Sequence, residues 1–231
     1  MRRIALAALA AILSVSALLS PDAARSAPAH PQCSATGNER APNLCVVGVR
    51  STAMNAIFQY QRTPVWCWAA SMAMILAYYG RPVSQRDVVS DIFGAALPST
   101  LPASEVIPYL DHTYVDSATG RRATTHGSVL YAAPMGSSSA SLSAIMAQLN
   151  AGRPLLVFTP NHAMVLTELY YYADESGNEL GIAGVVVRDP FPYEGGQMNV
   201  PGIPMGQNPG ERILSQLEYY HIQYVFAISV H

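Results

Sequence analysis

The chain has 231 residues, half of them hydrophobic, which is enough for one domain with a sizeable core or for two small lobes that share a cleft. Charged residues make up only 12%, and the formal net charge is −2. This balance gives no electrostatic reason to expect a nucleic acid or an anionic membrane surface as a partner.

The first 29 residues have the pattern of a secretory signal peptide. Arg2 and Arg3 precede an apolar run over residues 4–19, and small residues follow, with cleavage expected between residues 24 and 29. The run is shorter than the roughly 20 residues that span a bilayer, so no stable membrane anchor is expected. The mature protein is therefore predicted to be secreted or periplasmic.

The cysteine count is odd, which is informative in an exported protein. Residues 30–55 look irregular and are interpreted as an N-terminal arm or a short pro-segment, and residues 56–231 as one domain. Cys33 and Cys45 lie close together in this arm, where a small disulfide loop would leave Cys67 unpaired. The alternatives are that Cys67 pairs with one of the others or is an inert buried thiol.

The first half of the domain reads as helical. Residues 66–79 are rich in Ala, Met and Leu, follow a proline and end at Gly80, so they predict a helix that is apolar nearly all round and centrally buried. Ser84 to Asp87 resembles a capping box that opens a second helix. Two shorter helices are expected over residues 104–110 and 141–150.

The second half of the domain reads as strands. Runs rich in Val, Ile, Leu, Tyr and Phe cover residues 154–158, 162–171, 182–188 and 222–230. The two middle runs flank a turn segment, residues 174–178, and are expected to form an antiparallel hairpin. Helices followed by an antiparallel sheet predict an α+β fold, with an N-terminal helical lobe whose buried helix packs on a C-terminal sheet.

Cys67 stands where a nucleophilic thiol is expected. A thiolate is stabilised by the free N–H groups of a helix N-terminus and by a neighbouring imidazolium, and Cys67 is predicted to begin the buried helix. Its own backbone N–H would also face the oxyanion that forms when sulfur attacks a carbonyl.

The base for such a thiol is expected to be His162, at the head of an apolar strand. If the hairpin is centred between residues 175 and 176, His162 lies directly opposite Asp189. Asp189 would then hold the second ring nitrogen and stabilise the charged ring. Asp189 followed by Pro190 is also compatible with a simple end of a strand.

A side-chain donor for the oxyanion is expected six residues before the thiol. Gln61 supplies a neutral N–H there that does not compete as a base, and Gln59 is the local rival.

These residues together resemble the papain-like cysteine peptidases, on Gln61-Arg-Thr-Pro-Val-Trp-Cys67-Trp68, Asn161-His162-Ala163 and a later Asp189-Pro190. The form is similar to compact bacterial secreted members, including effector proteases, and more distantly to bacteriocin-leader peptidases. The resemblance implies that residues 56–231 are a papain-like catalytic domain that cleaves a protein or peptide substrate.

The chain departs from that family in two places. It lacks the Gly and second Cys that usually precede the nucleophile, and Arg188-Asp189-Pro190-Phe191 replaces the Asn-Ser-Trp-Gly motif. A cysteine amidase or acyltransferase acting on cell-wall or protein amides, and a catalytically silent binding module, therefore stay open as alternatives. No metal-ligand spacing is present, so no metal or cofactor is expected, and the oligomeric state is unknown.

Overall fold

The computed structural model describes residues 31–49, 51–133, 139–192, 201–204, 208–216 and 221–231. The predicted signal peptide, residues 1–29, lies outside the described residues. Among the described residues, no helix has both the length and the hydrophobicity to cross a membrane.

The fold is α+β, as predicted, with few helices and a mostly antiparallel sheet. The helices are α1 Ser51–Asn55, α2 Cys67–Tyr78, α3 Gln85–Phe93, α4 Ala103–Val106 and α5 Ser139–Asn150, and a short 3₁₀ turn, Ile107–Tyr109, follows α4. The strands are β1 Gln32–Ala35, β2 Asn43–Gly48, β3 Thr113–Val115, β4 Arg122–Ala132, β5 Leu155–Thr159, β6 His162–Ala173, β7 Glu179–Arg188, β8 Glu211–Ser215 and β9 Tyr224–Val230.

Helix α2 is the buried helix that the sequence predicts. Its residues from Trp68 to Leu76 are all buried, because the segment has no polar face to turn toward water. It packs against β6 and β5 on one side and α3 on another. The hydrophobic cluster around it includes Met72, Ile75 and residues of β5, β6 and β9, so α2 is fixed against the sheet.

Helix α3 begins and ends as its sequence predicts. The Ser84 hydroxyl accepts a hydrogen bond from the backbone N–H of Asp87 at 3.1 Å, which caps the first turn. Gly94 ends the helix in the left-handed conformation, at φ 75°. These local signals identify both ends of α3 without tertiary information.

Strand β6 organises the sheet. Its first half pairs with β5 and its second half with β2, while β7 runs along its other edge, and all of these pairs are antiparallel. The sheet continues from β5 through β9 and β4 to β3, and β8 extends it beyond β7. The long strand thus carries His162 at one end and reaches the N-terminal strands at the other.

The predicted hairpin between β6 and β7 is present, but its predicted register is wrong by two residues. Val165 lies opposite Arg188, where the prediction places it opposite Val186. Irregularities between Leu166 and Glu168 and nearer the turn shift the pairing along the hairpin, and sequence pattern does not locate such bulges. At the end that carries His162 the shift is two residues, which leaves the side chains there on their predicted face, whereas over residues 168–170 it is three.

The prediction that residues 30–55 are irregular is also wrong. Residues 32–35 and 43–48 form β1 and β2, and β2 adds a strand to the sheet by pairing with β6. A disulfide joins Cys33 and Cys45, which are cross-strand partners, and Cys67 is a free cysteine. Strand β2 escaped detection because the strand that it joins in the sheet, β6, lies more than 100 residues away in the chain.

Candidate active site

Cys67 is the first residue of α2, and the N-terminus of this helix is left open. The first N–H groups of a helix have no acceptor within the helix, and in most helices a side chain caps them. The residue before Cys67 is Trp66, which makes no side-chain cap, in contrast to Ser84 on α3. The free, half-buried thiol therefore lies beside backbone donors that are not used for capping.

His162 lies at the start of β6, beside Cys67 and Asp189. Its Nε2 atom is 2.6 Å from Oδ1 of Asp189, and the ring lines the same cavity as Cys67, which acts on its pKa. Because Nε2 is used by Asp189, Nδ1 is the nitrogen left for the thiol. The structure thus brings together three of the residues that the sequence identifies as site candidates.

Asp189 reaches His162 from a diagonal position and not from the directly opposite one. It immediately follows β7, whose last residue, Arg188, lies opposite Val165. Diagonal neighbours on one face of an antiparallel pair are within reach of long side chains. The contact therefore survives the register error, because His162 and Asp189 stay on the same face of the hairpin.

The electrostatics of this pair favour a charged ring. Burial by itself lowers the pKa of His162, but the hydrogen bond to Asp189 and the interactions with the Asp189 and Cys67 side chains outweigh it and raise the pKa to about 9. Burial likewise raises the pKa of Asp189, and the hydrogen bond and charge of His162 reverse this and hold it below its usual value. At neutral pH the two side chains form an imidazolium–carboxylate pair.

Other groups fix the Asp189 carboxylate, and the sequence pattern did not identify them. Oδ2 of Asp189 is 3.3 Å from Nη1 of Arg212 on β8, and Oδ1 accepts a hydrogen bond from the N–H of Phe191 at 2.9 Å. The N–H of Asp189 donates to the carbonyl of Gly210 at 2.7 Å. Arg212 lies 23 residues after Asp189 in the chain, so no local spacing indicates this contact.

Gly210 is a position where only glycine fits. Its φ is +63°, and a Cβ there would lie 2.0 Å from the Phe58 ring and 2.7 Å from the carbonyl oxygen of Asp189. The close approach lets the backbone of residues 208–211 pass directly beside Asp189.

Gln61 lies in the loop between α1 and α2, with its backbone fixed next to Asp189. Its N–H donates to the carbonyl of Pro190 at 2.8 Å, and its side-chain Nε2 donates to the carbonyl of Thr63 at 2.9 Å. An amide nitrogen carries two hydrogens, so the bond to Thr63 leaves one for a ligand. The rival, Gln59, instead accepts a hydrogen bond from Gln85 at 2.8 Å.

A cavity of about 490 Å³ opens beside the thiol and the imidazole, and both Cys67 and His162 line it. The rest of its wall is neutral and largely apolar among the described residues, and includes Val65, Trp68, Leu101, Pro102, Phe158, Pro160 and Tyr224. Apart from Cys67 and His162, the described residues that line it are uncharged.

Trp68 lines this cavity, and both tryptophans beside Cys67 hold a segment that leads to another part of its wall. The indole N–H of Trp66 donates to the carbonyl of Leu97 at 2.9 Å, and that of Trp68 donates to the carbonyl of Ser99 at 3.2 Å. Both side chains are buried. They therefore hold the segment that leads into residues 100–104, which line the cavity.

The fold and site define an α+β protein in which a free helix-start cysteine and a histidine line one cavity, and a buried aspartate hydrogen-bonds the histidine. Residues 53–206, two thirds of the chain, match the Peptidase_C39 like family, and the chain belongs to this family. Its relationship to the papain-like cysteine peptidases, which the sequence motifs indicate, is thereby confirmed. No curated protein and no solved structure matches the chain.

Proposed function

We propose that the protein is an exported thiol peptidase that cleaves peptide bonds through Cys67, His162 and Asp189. The observation that supports this most directly is that Cys67 and His162 line one cavity while Nε2 of His162 is hydrogen-bonded to Asp189. Nucleophile, base and orienting group stand in the order that covalent acyl transfer requires. A non-catalytic binding module has no need of this connection.

In the first half of the reaction, the sulfur of Cys67 attacks the carbonyl carbon of the scissile peptide bond. A C–S bond forms, and the carbonyl oxygen becomes an oxyanion that the Cys67 N–H and the Gln61 amide stabilise. The C–N bond then breaks while His162 gives its proton to the leaving amine. The product on the enzyme is a thioester, and His162 is neutral.

In the second half, water replaces the amine. His162 takes a proton from the water as the oxygen attacks the thioester carbonyl, and the C–S bond breaks to release the carboxylic acid. The imidazolium is restored beside the thiolate of Cys67. Throughout, Asp189 keeps the ring oriented and stabilises its charged form, which agrees with the raised pKa of His162.

The cavity supports a peptide with uncharged side chains as the substrate. Burying a charged side chain without a partner is costly, and apart from the reacting pair, Cys67 and His162, the described lining residues are uncharged. An apolar side chain next to the scissile bond would instead bury its surface against Trp68, Leu101 and Phe158.

Export is proposed on two grounds. Residues 1–29 have the composition of a signal peptide. The Cys33–Cys45 disulfide suits an oxidising compartment such as the periplasm or the cell exterior.

The test is the Cys67→Ala variant, purified beside the unaltered protein and assayed on a library of internally quenched peptides. Turnover by the Cys67→Ala variant should disappear. After treatment with iodoacetamide, mass spectrometry should find a carbamidomethyl group on Cys67 of the unaltered protein and no such group on the variant. The thermal transition should be retained, because the removed thiol is small and half-buried. Turnover at the unaltered rate by Cys67→Ala would refute the proposal, and product masses that show amine transfer in place of hydrolysis would redirect it.

A further inference from the structure

Gln85, the first residue of α3, has a buried side-chain amide that makes three hydrogen bonds to one loop. Its side chain is 1% exposed and makes contacts with Gln59, Tyr60 and Arg62. We propose that Gln85 is a positioning residue, which sets the place of the Gln61 amide in the oxyanion site. This inference rests on the proposed function and names a residue that no sequence motif indicates.

Two of the hydrogen bonds of Gln85 are made to backbone groups on either side of Gln61. Nε2 of Gln85 donates to the carbonyl of Tyr60 at 2.8 Å, and Oε1 of Gln85 accepts from the N–H of Arg62 at 3.0 Å. These backbone groups lie immediately before and after Gln61. A single side chain therefore fixes the loop on both sides of the residue that is to meet the oxyanion.

The third contact removes the remaining freedom of the amide. Nε2 of Gln85 also donates to Oε1 of Gln59 at 2.8 Å, so both of its N–H hydrogens and its oxygen are engaged. A buried amide is costly unless its hydrogen bonds are made, so the loop and Gln85 hold each other in one arrangement. The hydrogen bond from Gln85 to Gln59 also distinguishes the two candidates for the oxyanion donor, because the Gln59 side chain is already engaged within the loop.

The opposite side of the loop is tied to the Asp189 region. The N–H of Gln61 donates to the carbonyl of Pro190, the residue that follows Asp189. The loop is thus held between α3 and the end of β7. Gln85 determines its position relative to Cys67, because α3 packs against α2, the helix that Cys67 begins.

The first experiment compares Gln85→Leu with the unaltered protein on the best fluorogenic peptide from the library. We expect kcat to fall about 10- to 100-fold with KM changed less than about threefold, because a displaced oxyanion donor affects the transition state more than substrate binding. A peptide aldehyde of the same sequence, whose hemithioacetal oxygen occupies the oxyanion site, should bind weaker by a similar factor. The rate of Cys67 alkylation by iodoacetamide, which forms no oxyanion, should stay within about twofold.

Asp91→Leu is the matched control. Asp91 is also on α3, and its carboxylate accepts a hydrogen bond from the N–H of Val115, on a strand that does not carry a site residue. It should lower thermal stability without the loss in kcat. Gln85→Met, which is closer in shape to glutamine, is the second variant if Gln85→Leu does not fold.

A double variant separates positioning from a general structural effect. If Gln85 acts through Gln61, adding Gln85→Leu to Gln61→Ala should reduce kcat by less than about threefold further. Fully additive losses, an equal loss in Asp91→Leu, or kcat within twofold of the unaltered value in Gln85→Leu and Gln85→Met would overturn the inference. Retained turnover in Cys67→Ala would refute the proposed function itself, whereas loss in Cys67→Ala with none in the Gln85 variants would refute only the positioning role.

Discussion

The helical region and the sheet region each supply half of the site, and they hold their residues by different forces. On the helical side, Gln61 is held by hydrogen bonds among neutral amides, with Gln85 at their centre. On the sheet side, His162 is held by a charged chain that runs through Asp189 to Arg212.

Because of this difference, the sheet region is expected to respond to pH and the helical region is not. Neutral amides do not titrate, so the position of Gln61 should be the same across the pH range in which the fold is stable. The sheet side titrates through His162, whose pKa is raised to about 9. Peptide turnover should therefore fall as pH rises through about 9, because His162 loses the proton that it delivers to the leaving amine.

Of the variants that test this difference between the two regions, Asp189→Asn is expected to have the largest effect. Removing the carboxylate charge removes the main group that raises the pKa of His162, so the alkaline decline of kcat/KM should begin at a lower pH. The rate at pH 7 should fall by roughly 100-fold or more, since the ring loses its orientation and charge stabilisation. A pH profile of peptide turnover measures both changes.

The pH profile of Asp189→Asn is to be compared with that of Gln61→Ala. It should lower the rate by roughly 100-fold at every pH and leave the alkaline decline where it is, because no charge is removed. If both variants shifted the decline equally, the division between a titrating and a neutral region would be wrong.

A smaller effect is expected from Arg212→Gln. Arg212 contacts Oδ2 of Asp189 at 3.3 Å and is about one third exposed, so solvent weakens its attraction to the carboxylate. We expect kcat to fall about two- to tenfold, with restoration toward the unaltered rate in Arg212→Lys. Equal loss in the lysine variant would mean that the two-pronged shape of the guanidinium, and not its charge, is required.

The smallest effect on activity is expected from the double variant Cys33→Ala/Cys45→Ala. The disulfide links β1 to β2, and β2 pairs with the end of β6 opposite to His162. Its loss should lower the free energy of unfolding by about 3 kcal/mol and the Tm by roughly 6–12 °C. Turnover at 25 °C should be unchanged, and calorimetry beside a rate assay checks both.

The helical region was largely predictable because its signals are local. The apolar segment between Pro64 and Gly80 and the cap at Ser84 lie within or next to the elements that they define, and the structure has helices α2 and α3 where these signals place them. The α+β class follows equally from the order of helical and strand patterns along the chain.

The sheet region was only partly predictable because strand pairing is not local. The apolar strands β5, β6, β7 and β9 were found, whereas β1, β2, β3, β4 and β8 were missed. Strand β4, for instance, alternates irregularly between buried and exposed residues, so it has no clear period of two. The register of β6 and β7 was wrong because bulges shift it.

The sequence by itself determined the spare cysteine, its position at a helix start and the residue types of the site, since these depend on composition and on short spacings. Only the tertiary structure decided that Asp189 meets His162 diagonally, that Arg212 contacts Asp189 and that Gln59 belongs to the scaffold. Such contacts join residues far apart in the chain, and their geometry follows from how helices and strands pack. The catalytic roles of Cys67, His162, Asp189 and Gln61 stay predictions that the variants above test.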